Sequence, residues 1–256
     1  MRLLRLPKYR NLDKCFEMFG LIHQVVTSRR TLRQIVIEAV EDFYKDNVKY
    51  LELRSTPRDL PKDGASRADY VDEVSRIVTQ DKIWILIKRN QTLQLAEVTV
   101  NMALLRKNKQ KCPYIVGIDF SGNSERLNSD LNRFEQLLKR ARAGGLMITV
   151  HFAEHFDDDE ATRVLAFRPN RSAGFQLNMS VTSNVYTMAR NRRDEECKYL
   201  FDNKSKTLKL CACGFTSHPH GRLLANMRCQ EQQLDIYPMR LCTDDCGVFD
   251  TTLSIE

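Results

Sequence analysis

Apolar residues recur at three-and-four spacing in two early stretches of the chain. They are Leu12, Cys15, Phe16, Phe19, Ile22, His23 and Val26 within residues 11–26, then Leu32, Ile35, Ala39, Val40 and Phe43 within residues 31–46. That period is the signature of a helix with one buried face, and His23, sitting among the apolar positions, reads as a core or boundary histidine. Residues 48–54, VKYLELR, alternate and are rich in β-formers, which predicts a strand; STPRDLPKDG then breaks it with prolines and a glycine. From there the pattern repeats. A helix over 66–80 leads to the strand IWILIK (83–88), a helix over 92–107 to YIVGIDF (114–120), and a helix over 130–143, stopped by Gly144 and Gly145, to LMITVHF (146–152). Trp84, at the head of an apolar strand, reads as packing. The acidic run 157–160 falls where a further helix would start, since negative charge is favoured at a helix N-terminus.

Short apolar strands alternating with amphipathic helices predict parallel strands covered by helices, in a doubly wound sheet or a (β/α)8 barrel. No glycine-rich phosphate loop follows any strand, which weakens the nucleotide-binding doubly wound version. Polar residues do gather at the C-terminal strand ends: Arg54, Arg89, Asp119, His151 with Glu154, and Asp244 with Asp245. A barrel collects its reactive groups on that rim, so a TIM-like barrel is the expected α/β fold.

At 256 residues and 42% apolar content the chain can bury a real core. It has no apolar run approaching the roughly 18 residues of a membrane span, and MRLLRLPKYR is too charged for a signal peptide, so a cytoplasmic protein is the expectation. The net charge of +7 is unevenly spread. Residues 1–34 carry eight Lys/Arg against two Asp/Glu and residues 186–240 ten against six, while residues 35–185 carry 22 against 21. Solvated basic flanks explain this, and neither a nucleic acid nor a membrane partner is expected. Six of the eight cysteines (Cys197, Cys211, Cys213, Cys229, Cys242 and Cys246) lie in the last 60 residues and read as reduced thiols in that compartment.

Two strand ends carry candidate chemistry. In TVHFAEHF, His151 closes a strand and Glu154 follows three positions later. An imidazole fixed at a strand tip is a good Zn²⁺ ligand, and a nearby glutamate can move protons if burial raises its pKa. The alternative is a capped strand end with a solvated acid. In LCTDDCGVF, Asp244 and Asp245 repel one another unless a cation relieves them, one ligating while the other accepts a hydrogen bond from substrate. An Asx-type turn before Gly247 accounts for the same pair.

Six segments occur in an informative order: NLDKCFEMFGLIHQVV, VKYLELRSTPR, YIVGIDFSGN, TVHFAE, VTSNV and LCTDDCGVF. Together they resemble the adenosine deaminase superfamily. The resemblance implies a zinc-dependent (β/α)8 barrel that hydrolyses the 6-amino or 6-alkylamino group of a purine nucleoside or monophosphate. It assigns His151 and Asp244 as zinc ligands, Glu154 as the acid that protonates the purine ring, and Asp245 as a group that orients water and contacts the purine. Gly122 offers its backbone N–H to the ring. The sequence also departs from the family. The HxH pair of the family's first strand and a later Gly-His-Gly segment are absent, and residues 186–236 form an insert without a family counterpart, read as irregular.

The expectation is therefore a single domain over residues 1–256, an incomplete barrel holding one Zn²⁺ weakly, with impaired turnover. The alternative function is a catalytically inactive relative that binds a nucleotide or a partner. His155 as a replacement ligand, and a zinc knuckle built from Cys211, Cys213, His218, His220 and Cys229, are weaker readings than an irregular loop. Arg54, Arg58 and Arg89 are placed to meet a phosphate or to form rim salt bridges. The oligomeric state is not legible.

Overall fold

The computed structural model describes residues 12–48, 50–78, 82–108, 112–123, 127, 129–152, 157–173, 207–211 and 239–242. Helix α1 (Leu12–Val25) is followed by α2 (Arg29–Lys45), which begins where the Ser28 side chain accepts a hydrogen bond from the Thr31 N–H at 3.1 Å. Strand β1 (Glu52–Ser55) then alternates with helices: α3 (Arg67–Ile77), β2 (Lys82–Lys88), α4 (Leu93–Asn108), β3 (Ile115–Ser121), α5 (Glu135–Ala143), β4 (Met147–His151), α6 (Asp158–Phe167) and β5 (Arg171–Ala173). Two further strands follow, β6 (Thr207–Cys211) and β7 (Met239–Cys242). All seven are parallel and pair in chain order. This is the sheet of the expected TIM-like α/β fold.

The local signals explain most boundaries. Ser66 and Asp69 form a reciprocal capping box at the start of α3, and the acidic run 157–160 does open α6. The predicted helix over 130–143 is split, because Asp130 caps a short 3-10 turn at 131–133 before α5 begins. Two positions predicted on buried helix faces are exposed, Ile22 at 41% and Ile35 at 42%. In α2 the buried line runs through Leu32 and Val36, with Val40 against it, so Ile35 falls on the flank of the stripe. Thr207–Cys211 lies inside the stretch expected to be irregular yet supplies the sixth strand; TLKLC alternates, and backbone pairing on both sides holds it.

The two faces of the sheet differ in chemistry. Ile83, Ile85, Ile87, Ile115, Ile118, Phe120, Ile148 and Val150 are all at most 1% exposed and form the apolar core with the helices. The opposite face carries Glu52, Arg54, Trp84, Asp119, Thr149, His151 and Arg171, as the strand registers and the period of two require. Trp84 is fully buried there, donating from Nε1 to Glu52 Oε2 at 3.0 Å, with the Arg171 guanidinium 4.9 Å over its ring. It is packing, as the sequence implied. Gly117 lies opposite Trp84 in the register, and a methyl group there would collide with the indole ring and the Met147 carbonyl oxygen.

Gly117→Ala is therefore expected to lower stability by about 1–3 kcal/mol through overpacking, read from urea denaturation. Unchanged stability would show that the Trp84 layer is loosely packed.

Candidate active site at the carboxyl edge of the sheet

Parallel pairing puts every C-terminal strand end on one edge. Phe120 registers with Val150, so Ser121 and His151 are the next pair along, and Lys88 registers with Ser121. Lys88, Ser121 and His151 thus form one row across three neighbouring strands. One layer below, Asp119 on β3 has no exposure to solvent.

Arg54 joins that carboxylate to the histidine. Its Nη1 lies 2.6 Å from Asp119 Oδ2 and donates to His151 Nε2 at 2.5 Å. His151 Nε2 is also 3.1 Å from Asp119 Oδ1. A guanidinium has no lone pair to offer, so Nε2 accepts from it, and the imidazole proton then belongs on Nδ1. The guanidinium sits where a cation would sit between an imidazole and a carboxylate. Asp119, His151 and Arg54 come from β3, β4 and β1, so register alone brings them together.

Arg89, 1% exposed, braces this edge from the end of β2. Its Nη1 pairs with Glu160 on α6 and reaches the Ser129 carbonyl at 3.3 Å, its Nη2 donates to the His151 carbonyl, and its guanidinium lies 4.9 Å over the Phe120 ring. Arg54 and Arg89 therefore take the second of the two roles the sequence left open, salt bridges at the rim, with Asp119 and Glu160. Gly122 follows β3 with φ +110°, a conformation that side chains disfavour, which turns the backbone at the candidate N–H donor. Glu154, Asp244, Asp245 and His155, with the cysteines and histidines of the insert, lie outside the described residues. Strand β7 ends at Cys242, two positions before Asp244.

Sequence reasoning missed the pairing of Glu52 with Arg171 and of Arg89 with Glu160. One signal was available: Glu52 and Arg54 are two apart in YLELR and so share a face, which marks that face as polar. Burial works against the charged form of Glu52, but hydrogen bonds from Arg171, Tyr50 and Trp84 outweigh it and lower its pKa to about 2.

Among the described residues no three His, Cys, Asp or Glu side chains gather as a metal site. His151 and Asp119 are two donors, and the Arg54 guanidinium occupies the space beside them. These residues by themselves do not fit a zinc ion. No described helix is long and apolar enough to cross a membrane.

The adenosine deaminase family model matches residues 2–166. An adenosine deaminase-like protein of Drosophila melanogaster is 30% identical over 96% of this chain and 70% of its own length. The N6-mAMP deaminase of Arabidopsis thaliana is 30% identical over 96% of this chain and 72% of its own. The crystal structure of Arabidopsis ADAL complexed with IMP superposes with a TM-score of 0.73 at 28% identity, covering 95% of this chain and 70% of that one.

Two measurements follow. Removing one partner of the buried Arg89–Glu160 pair, as in Glu160→Gln, is expected to cost about 3–5 kcal/mol in urea denaturation, because an uncompensated charge stays buried. Acid titration of stability should show a loss as pH falls from about 4.5 towards 2, where Glu52 is protonated first in the unfolded chain and last in the folded one. Glu52→Gln should remove that component.

Proposed function

Because this chain belongs to the adenosine deaminase family, we propose that it hydrolyses the 6-amino or N6-alkylamino group of a purine nucleoside or nucleoside monophosphate. The reaction type is N6-methyl-AMP to IMP with release of methylamine, and turnover in this chain is impaired. The reading is carried by one observation: His151 stands at the C-terminal end of a parallel strand, held by buried Asp119 and Arg54, on the rim where this fold carries its chemistry. The relative with IMP bound supports a purine nucleotide as the ligand class.

The roles follow the family order. Gly122 directs its backbone N–H to the purine ring, Glu154 gives a proton to a ring nitrogen as water adds at C6, and Asp245 contacts the purine and orients that water. His151 and Asp244 are the residues this chain brings to a Zn²⁺ ion. By themselves these two donors would hold the ion weakly, since zinc sites normally take three or four protein ligands. A cation at His151 must also displace the Arg54 guanidinium from Nε2. Residues 1–256 act as one domain in the cytoplasm, with 186–236 as an elaboration of it.

The same Arg54 contact favours a second reading, a catalytically inactive relative that still binds purine nucleotide. Metal analysis of the purified chain with product chromatography separates the two. The first predicts less than one zinc per chain and slow formation of IMP from N6-methyl-AMP that rises with added Zn²⁺ and is abolished in His151→Ala. The second predicts IMP binding without product. A chain that neither forms product nor binds IMP overturns both.

A further inference from the structure

Asp119 receives its countercharge from a strand that is not its neighbour. Its two partners in register are Leu86 on β2 and Thr149 on β4. Leu86 is apolar, and the Thr149 hydroxyl is buried and makes no hydrogen bond. Neither side chain serves the carboxylate. Arg54 instead reaches across β2 from β1, with Nη1 2.6 Å from Asp119 Oδ2 and only 14% of its side chain exposed.

The same nitrogen closes off the imidazole. Nη1 carries two hydrogens, enough to serve Asp119 Oδ2 and His151 Nε2 together, and both acceptors lie within 2.6 Å of it. Nε2 and Asp119 Oδ1 are themselves 3.1 Å apart. Two acceptors at that separation repel unless positive charge stands against both, and the guanidinium supplies it. Arginine stays protonated across the working pH range, so Arg54 leaves Nε2 by moving and not by losing a proton. A divalent metal needs the lone pair that Arg54 already holds.

We infer that Arg54 is a resident cation: its guanidinium occupies the His151 Nε2 lone pair and competes there with any divalent metal, weakening metal binding at this histidine. This rests on the reading of His151 as a metal-binding residue and deepens it. The poor fit of these residues to zinc then has a cause inside the chain, an occupied lone pair, beyond the small number of donors. The contact also keeps the imidazole in one direction and one tautomer while no ion is bound. Removing the guanidinium removes the competitor.

The test is calorimetric titration of the metal-free full chain with Zn²⁺, for the parent and for a double variant, Arg54→Met with Asp119→Asn. Each is compared with its own His151→Ala counterpart, so that zinc bound elsewhere is subtracted. The double variant leaves no uncompensated carboxylate in the interior and keeps the parent's net charge, so tighter binding in it reports access to the lone pair alone. Freeing Nε2 from one charged hydrogen bond should tighten His151-dependent zinc binding about tenfold or more. Equal or weaker affinity in the double variant overturns the inference and leaves the metal reading standing. The metal-free parent gives a second readout that needs no variant to fold, the nitrogen resonances of the His151 ring. A proton on Nδ1 with Nε2 accepting supports the inference, and a proton on Nε2 overturns it. If neither chain binds zinc through His151, the metal reading fails separately, and the ring resonances then decide whether Arg54 holds the lone pair.

Discussion

A carboxylate with no access to water is the point on which the candidate site depends. Asp119 lies in the middle of β3, and a charge so placed is costly unless it is closely compensated. Arg54 supplies that compensation from β1, across the β2–β3 pair, and its guanidinium also holds His151 of β4 beside the same carboxylate. The price of the arrangement is rigidity, because three strands must keep register for one charge to stay neutralised. That requirement turns a strand-end histidine, by itself an unremarkable residue, into one with a fixed direction and tautomer.

The sheet achieves this by dividing labour between its faces. Isoleucines and valines on one side pack against helices and hold the strands together, which leaves the other side free to be polar. That polar side is layered. Glu52, Trp84 and Arg171 close it below, with Gly117 leaving room for the indole, and Asp119, Arg54 and His151 stand above. Lys88 and His23 occupy the next position towards the rim. The order from floor to rim runs from packed groups paired with one another to a lysine that forms no ion pair among the described residues.

Much of this was legible in the chain. Alternating periodicity located the early helices and the strands carrying Arg54, Asp119 and His151, and the order of the motifs identified the family, which the comparisons bear out. What could not be read was pairing. Arg54 and Asp119 are 65 positions apart in sequence, and Arg89 and Glu160 are 71 apart. Each meets only because strands align in a particular register, which periodicity does not encode. His23 shows the same limit. Its spacing placed it on an apolar face, but the neighbour that decides its chemistry, Lys88, arrives from another element. Thr207–Cys211 is a milder case, a short alternating segment whose strand state depends on partners at both edges.

Arg89 has a consequence for motion. One guanidinium holds the end of β2, the backbone before α5, the carbonyl of His151 and the first turn of α6. Segments pinned by a shared anchor do not fluctuate separately, so this side of the rim opens as a single cooperative unit. Amide hydrogens around Ser129, Phe152 and Glu160 would then exchange with solvent through one common event.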